Sequence, residues 1–361
     1  MTHNYHTDLV IKIDFVLLLA SILLTIIIIL YSAAREYRDR RRRRGLLNIK
    51  KNVYEMALSG REDLCIPAAS GASAQQFLDV ATNRLREVVF FNSEEQEIFK
   101  HCFITPERIA EFERIAKVSG NKWRRIEAIL ALGYTHAESA VDSLEETLHS
   151  KDDDMSYFSV IALGQIRTAK SAKALLEVAK MSSFARYKIA AVLEGFPAQT
   201  AEEIIALKTD ADPALRVWAL NLLSKFRPAR FRGEIEDMTG DASADVRAAA
   251  CYCLGELGGH ESKKALLKCL SDDFWLVRAN AVMALSKVMG ADCLPEIVNL
   301  INDGSLSVIE SVKNVMALHI EKSLPYVEKI FRGEDGLAKK VATEALEQAG
   351  YDPKTLKPVT R

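Results

Sequence analysis

Residues 241–271 read DASADVRAAACYCLGELGGHESKKALLKCLS, and residues 272–302 read DDFWLVRANAVMALSKVMGADCLPEIVNLIN. Arg247 aligns with Arg278 and Leu254 with Leu285, each at an offset of 31. The register runs back through Arg216 and Leu223, Arg186 and Leu193, then Leu163-Gly164 and Leu132-Gly133, in steps of 30 or 31. Forward, it is read through Leu318, 33 residues on, and Leu346, 28 further. That makes seven units and a terminal half-unit, with drift near the C-terminus. A period of this length restricts the chain to a repeat architecture. One such unit cannot bury its own apolar face, whereas a stack of them buries a continuous core.

Each unit holds two helical patterns. The first is Ala-rich with large apolar residues at helical spacing, as in VRAAACYCLGEL. A short turn follows, GGHE or GADC, and then a shorter apolar helix, KKALLKCLS or LPEIVNLIN. An Asp-rich turn, such as DASAD, DADPA or KDDDM, leads to the next unit. Small residues such as Ala248 to Ala250 allow neighbouring helices to approach closely.

These units resemble HEAT repeats, specifically the short phycobilisome-lyase-type variety. That pattern runs Asp-Pro, then Val-Arg, then alanines and Leu-Gly, followed by a turn and an apolar second helix. ADPALRVWAL, SADVRAAACYCLGEL and DFWLVRANAVMAL supply it here, and the match covers about residues 122–350. The resemblance implies an all-α fold, a right-handed α-solenoid of about seven HEAT-like two-helix repeats. Departures occur at 307–336, where Glu310 stands near the expected Arg, and at 154–183, where Tyr157 or Phe158 does.

The N-terminus sets a different constraint. Phe15 to Tyr31 carries no charge, and about 20 apolar residues span a bilayer core. Asp8, Lys12 and Asp14 precede the block. Arg35, Arg38, Arg40, Arg41, Arg42, Arg43 and Arg44 follow it. A secretory signal has the opposite charge order, although YSAA mimics a cleavage site. The positive-inside rule puts the N-terminus outside and the rest of the chain in the cytoplasm, with a bacterial inner membrane as the expected location. The Arg run is expected to fix this orientation and to sit against anionic lipid headgroups.

The expected organisation is a short extracytoplasmic terminus (1–14), a transmembrane helix (15–34), a basic juxtamembrane segment and linker (35–75), a helical cap region (76–121), the repeat solenoid (122–352) and a tail (353–361). Within the third segment, 46–58 reads as a separate amphipathic helix, lying on the bilayer or serving as a linker. Helices are expected at Gln76–Phe90, Ser93–Phe103 and Pro106–Val118, the last with Thr105 as N-cap and Pro106 at N1.

The formal net charge of −1 divides into −1 over residues 1–34, +5 over 35–44 and −5 over the remainder. A mildly acidic body argues against a general nucleic-acid binder. The six cysteines, Cys65, Cys102, Cys251, Cys253, Cys269 and Cys293, form no CxxC pair and read as buried, reduced thiols.

Arg186, Arg216, Arg247 and Arg278 recur on one helix face near Asp212, Asp245 and Asp272 or Asp273. They make either a basic stripe for an anionic partner or a structural ladder between repeats. His260-Glu261 is tested against the di-iron His-Glu pairs of the HEAT-like deoxyhypusine hydroxylases. Only this one pair occurs, with His136 and Glu138 offset. No metal or cofactor is therefore expected, and a bilin-lyase activity, the other one that the resemblance brings in, belongs to soluble family members whereas this chain is expected to be anchored. No nucleophile triad, phosphate loop or HExxH is present either, so a non-enzymatic role is expected.

Two places depart from the repeat template. In SKFRPARFRGE (224–234), Lys225, Arg227, Arg230 and Arg232 interleave with Phe226 and Phe231. This is either a binding turn for an acidic protein, a lipid headgroup or RNA, or a solvated turn. Phe274 and Trp275 offer either a partner hot spot or packing between repeats. The sequence thus leads to a single-pass scaffold or adaptor for protein partners in a membrane-associated complex. A HEAT-like enzyme subunit and a binder of anionic lipid or nucleic acid are the rival readings.

Overall fold

Apolar periodicity and Ala-rich composition leave this chain one economical solution, helix stacked on helix. A computed structural model describes residues 2–59, 74–81, 104–181 and 183–359. The chain divides into two units, residues 1–166 and 167–361.

In the first unit, α1 (Thr2–Ser59) is one continuous helix through the apolar block, the Arg run and 46–58. From Leu17 to Tyr31 its large apolar side chains stay 47–64% exposed. Residues 46–58 are therefore not a separate helix. Leu46, Ile49 and Val53, spaced i, i+3 and i+7, are buried. That stripe packs within the protein near α2 (Ala74–Ala81), whose Phe77, Leu78 and Val80 are also buried, which corrects the bilayer-surface reading. Phe77 meets Phe112 of α3 (Pro106–Val118) at 6.1 Å between ring centroids. Thr105 caps α3 by accepting from the Arg108 N–H, as expected from the Thr-Pro start. The rest of the expected 76–90 helix, the 93–103 helix and residues 60–73 of the expected juxtamembrane segment and linker lie outside the described residues.

Repeat one pairs α4 (Lys122–Thr135) with α5 (Val141–Leu148), and α6 (Asp153–Ile166) stacks on α4. Gly133 makes that stacking possible. A Cβ there would lie 2.6 Å from the Ala162 Cα.

The second unit carries α7 (Ala169–Met181), α8 (Ser183–Leu193) and α9 (Ala201–Ile205). Three long-short pairs follow. They are α10 (Pro213–Phe226) with α11 (Arg232–Asp237), α12 (Ala244–Leu257) with α13 (Lys263–Cys269), and α14 (Trp275–Met289) with α15 (Leu294–Ile297). The short helices are flanked by 3-10 turns such as 229–231 and 260–262. The last pair is α16 (Leu306–Leu318) with α17 (Ile320–Arg332), and α18 (Gly336–Gln348) is the half-unit. Beyond it, residues expected to form a simple tail contribute to a two-stranded antiparallel ladder, β1 (Tyr351–Asp352) with β2 (Lys357–Pro358).

The long helices form a row, with α12 packed between α10 and α14. The register does not drift at the C-terminal end. Leu318 is 71% exposed, whereas Met316, 31 residues after Leu285, is fully buried, and Leu346 follows 30 later, also buried. Met occupies the core position and Leu318 only ends the helix.

Candidate functional site

The repeating arginines hold one repeat to the next. Arg216 donates Nε and Nη2 to the Asp241 carboxylate at 3.0 and 2.7 Å. Arg247 does the same to Asp272 at 2.7 and 2.8 Å, and Arg278 to Asp303 at 2.8 and 2.6 Å. Each Arg also donates Nη1 to a backbone carbonyl of its own turn, of Asp210, Asp241 or Asp272. Each of the three carboxylates in turn accepts a backbone N–H two residues on, from Ser243, Phe274 or Ser305. One Asp thus fixes its own turn and clamps the preceding repeat. Arg186 contributes a single bond to Asp212 at 2.6 Å.

These ion pairs set the charge states. The Arg247 guanidinium and the Phe274 N–H hold Asp272 below the usual carboxylate range against the opposing effect of burial. Arg278 does this for Asp303. At Asp241 burial pushes upward, and Arg216 with the Ser243 N–H outweighs it. The expected acid for this ladder was misplaced at Asp245. The partner comes from the turn of the following repeat, so Asp241 and Asp303 serve, and Asp245 makes no ion pair among the described residues.

The 224–234 turn is engaged by neighbouring acids. Arg227 pairs with Glu256 at 3.0 Å and Arg230 with Glu202 at 2.8 Å. Arg232 donates to the Gly258 carbonyl and the Ser262 hydroxyl. Arg230 also lies 4.8 Å over the half-buried Phe231 ring. Lys225 is exposed. Phe274 caps α14 and is half-buried, with Trp275 beside it at 5.9 Å between centroids and 39% exposed. Leu306 and Leu337 repeat the Trp275 position at steps of 31 and are exposed, so the starts of three successive long helices carry a row of large apolar side chains.

The Arg run lies on α1, with Arg40 paired to Glu36 at 2.5 Å and all but Arg42 exposed. His260 and Glu261 sit on an exposed turn. Among the described residues no group of three or more His, Cys, Asp or Glu side chains converges on one point. Cys251, Cys253, Cys269 and Cys293 are free and buried. Cys65 and Cys102 lie outside the described residues.

Sequence reasoning missed a groove of about 460 Å³ across α10, α12 and α14. Its floor is Ala248 and Ala249. Val217 and Asn221 form one wall, Leu276 and Asn280 the other. Asp245 and Tyr252 stand at its two ends along α12. The period explains the depression. Trp218, Ala249 and Asn280 are aligned at steps of 31, so the middle repeat lacks bulk between two larger neighbours. Asn280 donates Nδ2 to the Ala248 carbonyl at 2.9 Å, and Trp218 donates Nε1 to the Arg186 carbonyl at 3.1 Å. The signal was legible only as a missing side chain, which carries no motif.

The family profile described as HEAT repeats matches residues 109–194 and 200–286, just under half of the chain. The matched residues are similar to HEAT repeats. Among solved structures, the chain is similar to Escherichia coli YibA, at 16% identity, a TM-score of 0.33 and coverage of 74% of this chain and 90% of that one. An engineered protein shares 15% identity, with a TM-score of 0.36 and coverage of 84% and 98%. The karyopherin Kap121p, bound to the extreme C-terminus of the protein phosphatase Cdc14p, shares 14% identity at a TM-score of 0.46. That match covers 84% of this chain and 42% of the karyopherin. No curated protein sequence matches this chain.

Proposed function

We propose that this protein is a membrane-anchored, non-enzymatic HEAT-repeat scaffold that presents its repeats to protein partners in a membrane-associated complex. The observation that carries the reading is the uncovered apolar surface of α1. Its most apolar 18-residue window has a mean hydropathy of 2.6 and none of it is buried. A soluble protein rarely leaves so large a contiguous apolar surface in water, and a bilayer removes the cost. The Arg run directly after the block orients the N-terminus outside and the repeats in the cytoplasm. Because α1 continues without a break into Leu46, Ile49 and Val53, the anchor and the first unit are joined by helix. Restriction to two dimensions raises the effective concentration of membrane-bound partners.

Crosslinking in native membranes, followed by identification of the captured proteins, tests the scaffold reading. Recovery of the chain alone would overturn it. A cytoplasm-active reporter fused after Arg361 should give signal, and a reporter active only outside should stay silent. Extraction of the chain by alkaline carbonate would remove the anchor. Stoichiometric metal in the purified protein would replace the scaffold reading with an enzymatic one.

A further inference from the structure

We propose that the groove over Ala248 and Ala249 docks an extended segment of a partner protein bearing a Lys or Arg, whose cation meets Asp245. This deepens the scaffold reading and rests on it. The neighbouring ladder carboxylates are committed, Asp241 to Arg216 and Asp272 to Arg247, and neither lines the groove. Asp245 is exposed, pairs with no cation among the described residues and stands at one end of the groove. No Lys, Arg or His lines the groove, so a cation entering it meets one carboxylate and no repulsion. Lys287 lies over the Tyr252 ring at the far end, 5.5 Å from its centroid, and is held by Glu256.

The dimensions select an extended chain. Asp245 and Tyr252 are seven residues apart on one helix, about 10.5 Å at 1.5 Å per residue. Three residues of a strand span about that distance, and their first and third side chains point to one face. A basic residue at Asp245 therefore places the residue two positions away over Ala248 and Ala249, between Val217 and Leu276, where an apolar side chain is favoured. Asn280 has given its N–H to the Ala248 carbonyl, which leaves its amide oxygen to accept from a partner backbone. The fit is a Lys or Arg separated by one residue from an apolar one. A first-turn acid also complements the helix N-terminus, so a structural role for Asp245 must be separated from docking.

The test uses the full chain in detergent and fluorescein-labelled nonapeptides with Arg-Ser-Leu or Leu-Ser-Arg centres in a Gly/Ser background. Citrulline in place of Arg removes the charge at nearly constant shape, and Glu reverses it. One Arg peptide should bind the native chain about tenfold more tightly than its citrulline twin. Asp245→Asn should remove that ratio and leave citrulline binding unchanged. Asp245→Lys should favour the Glu peptide. Ala249→Trp should abolish binding of all of them, with circular dichroism confirming the helices. The proposal is overturned if no peptide binds the native chain, if Asp245→Asn keeps the Arg-to-citrulline ratio, or if Asp245→Lys binds Arg as the native chain does. Crosslinking in native membranes separates the two levels. Equal capture of the same proteins by native and Asp245→Lys chains removes the groove and leaves the scaffold, whereas capture of nothing by either removes the scaffold.

Discussion

Arg247 grips Asp272 in the next repeat with two parallel hydrogen bonds, Nε to Oδ2 at 2.7 Å and Nη2 to Oδ1 at 2.8 Å. Both side chains are less than a fifth exposed. Removing one partner leaves a largely desolvated charge, and such losses cost about 3 kcal/mol. Arg247→Ala should therefore shift the urea midpoint of the detergent-solubilised chain well below the native value. Arg247→Lys should recover part of the loss, because an ammonium keeps the charge without the two-pronged geometry. The double variant Arg247→Ala/Asp272→Ala should cost less than the sum of the singles. Strict additivity would show that the pair does not couple the repeats.

The same carboxylates predict the response to acid. Asp241, Asp272 and Asp303 are held below the ordinary aspartate value in the folded chain. Their contribution is complete above the unfolded pKa of about 3.9 and is lost as pH falls through the lower folded values. Helical circular dichroism should stay level from pH 7 to about 5 and collapse below about 4. In Asp272→Asn the native chain's stability loss across the acid limb should be shallower. A collapse centred near pH 6 would contradict this.

Gly255 lies in the long helix of its repeat, where a Cβ would come within 2.9 Å of the Ala284 Cα and Cβ on the neighbouring helix. The Ala284 backbone cannot move aside as a flexible side chain would. Gly255→Ala should lower stability by about 1–2 kcal/mol, overpacking outweighing the roughly 1 kcal/mol that Ala adds to helix propensity. Gly240→Ala, with nothing within 4 Å of the added atom, serves as the control. Equal midpoints for the two variants would show that α12 and α14 are not packed this closely.

Burial pushes the Cys253 thiol up to about 12 and the Cys293 thiol up to about 11. Cys251 hydrogen-bonds to Cys269 and is itself buried, and both effects hold it protonated. A thiol of this kind is unreactive toward disulfide reagents. The same hydrogen bond holds the Cys269 thiol below its ordinary value, so the test removes it. In a Cys65→Ser/Cys102→Ser/Cys269→Ser background, the folded chain should show no fast reaction with an aromatic disulfide reagent at pH 8. Three thiols should appear on denaturation. A rapidly reacting thiol in the folded state would place a repeat core open to solvent.

The sequence by itself determined the repeat and its length. The 31-residue recurrence of Arg216, Arg247 and Arg278 is local chemistry written in order along the chain, and helix starts such as Thr105-Pro106 depend only on neighbours. Which acid each Arg meets was not legible. Asp303 lies 25 residues beyond Arg278 and becomes its partner only when the turns stack, while the nearer Asp245 is carried outward and away from Arg247. The apparent drift through Leu318 failed for a similar reason, since hydrophobicity alone does not distinguish a helix-end Leu from the core Met316. The amphipathic stretch after the Arg run was visible, but only tertiary packing decided that Leu46, Ile49 and Val53 cover protein instead of lipid. The groove depended on it most. Ala248 and Ala249 read in sequence as close-packing residues, and they become a floor because Val217, Leu276 and Asn280 arrive beside them from other repeats.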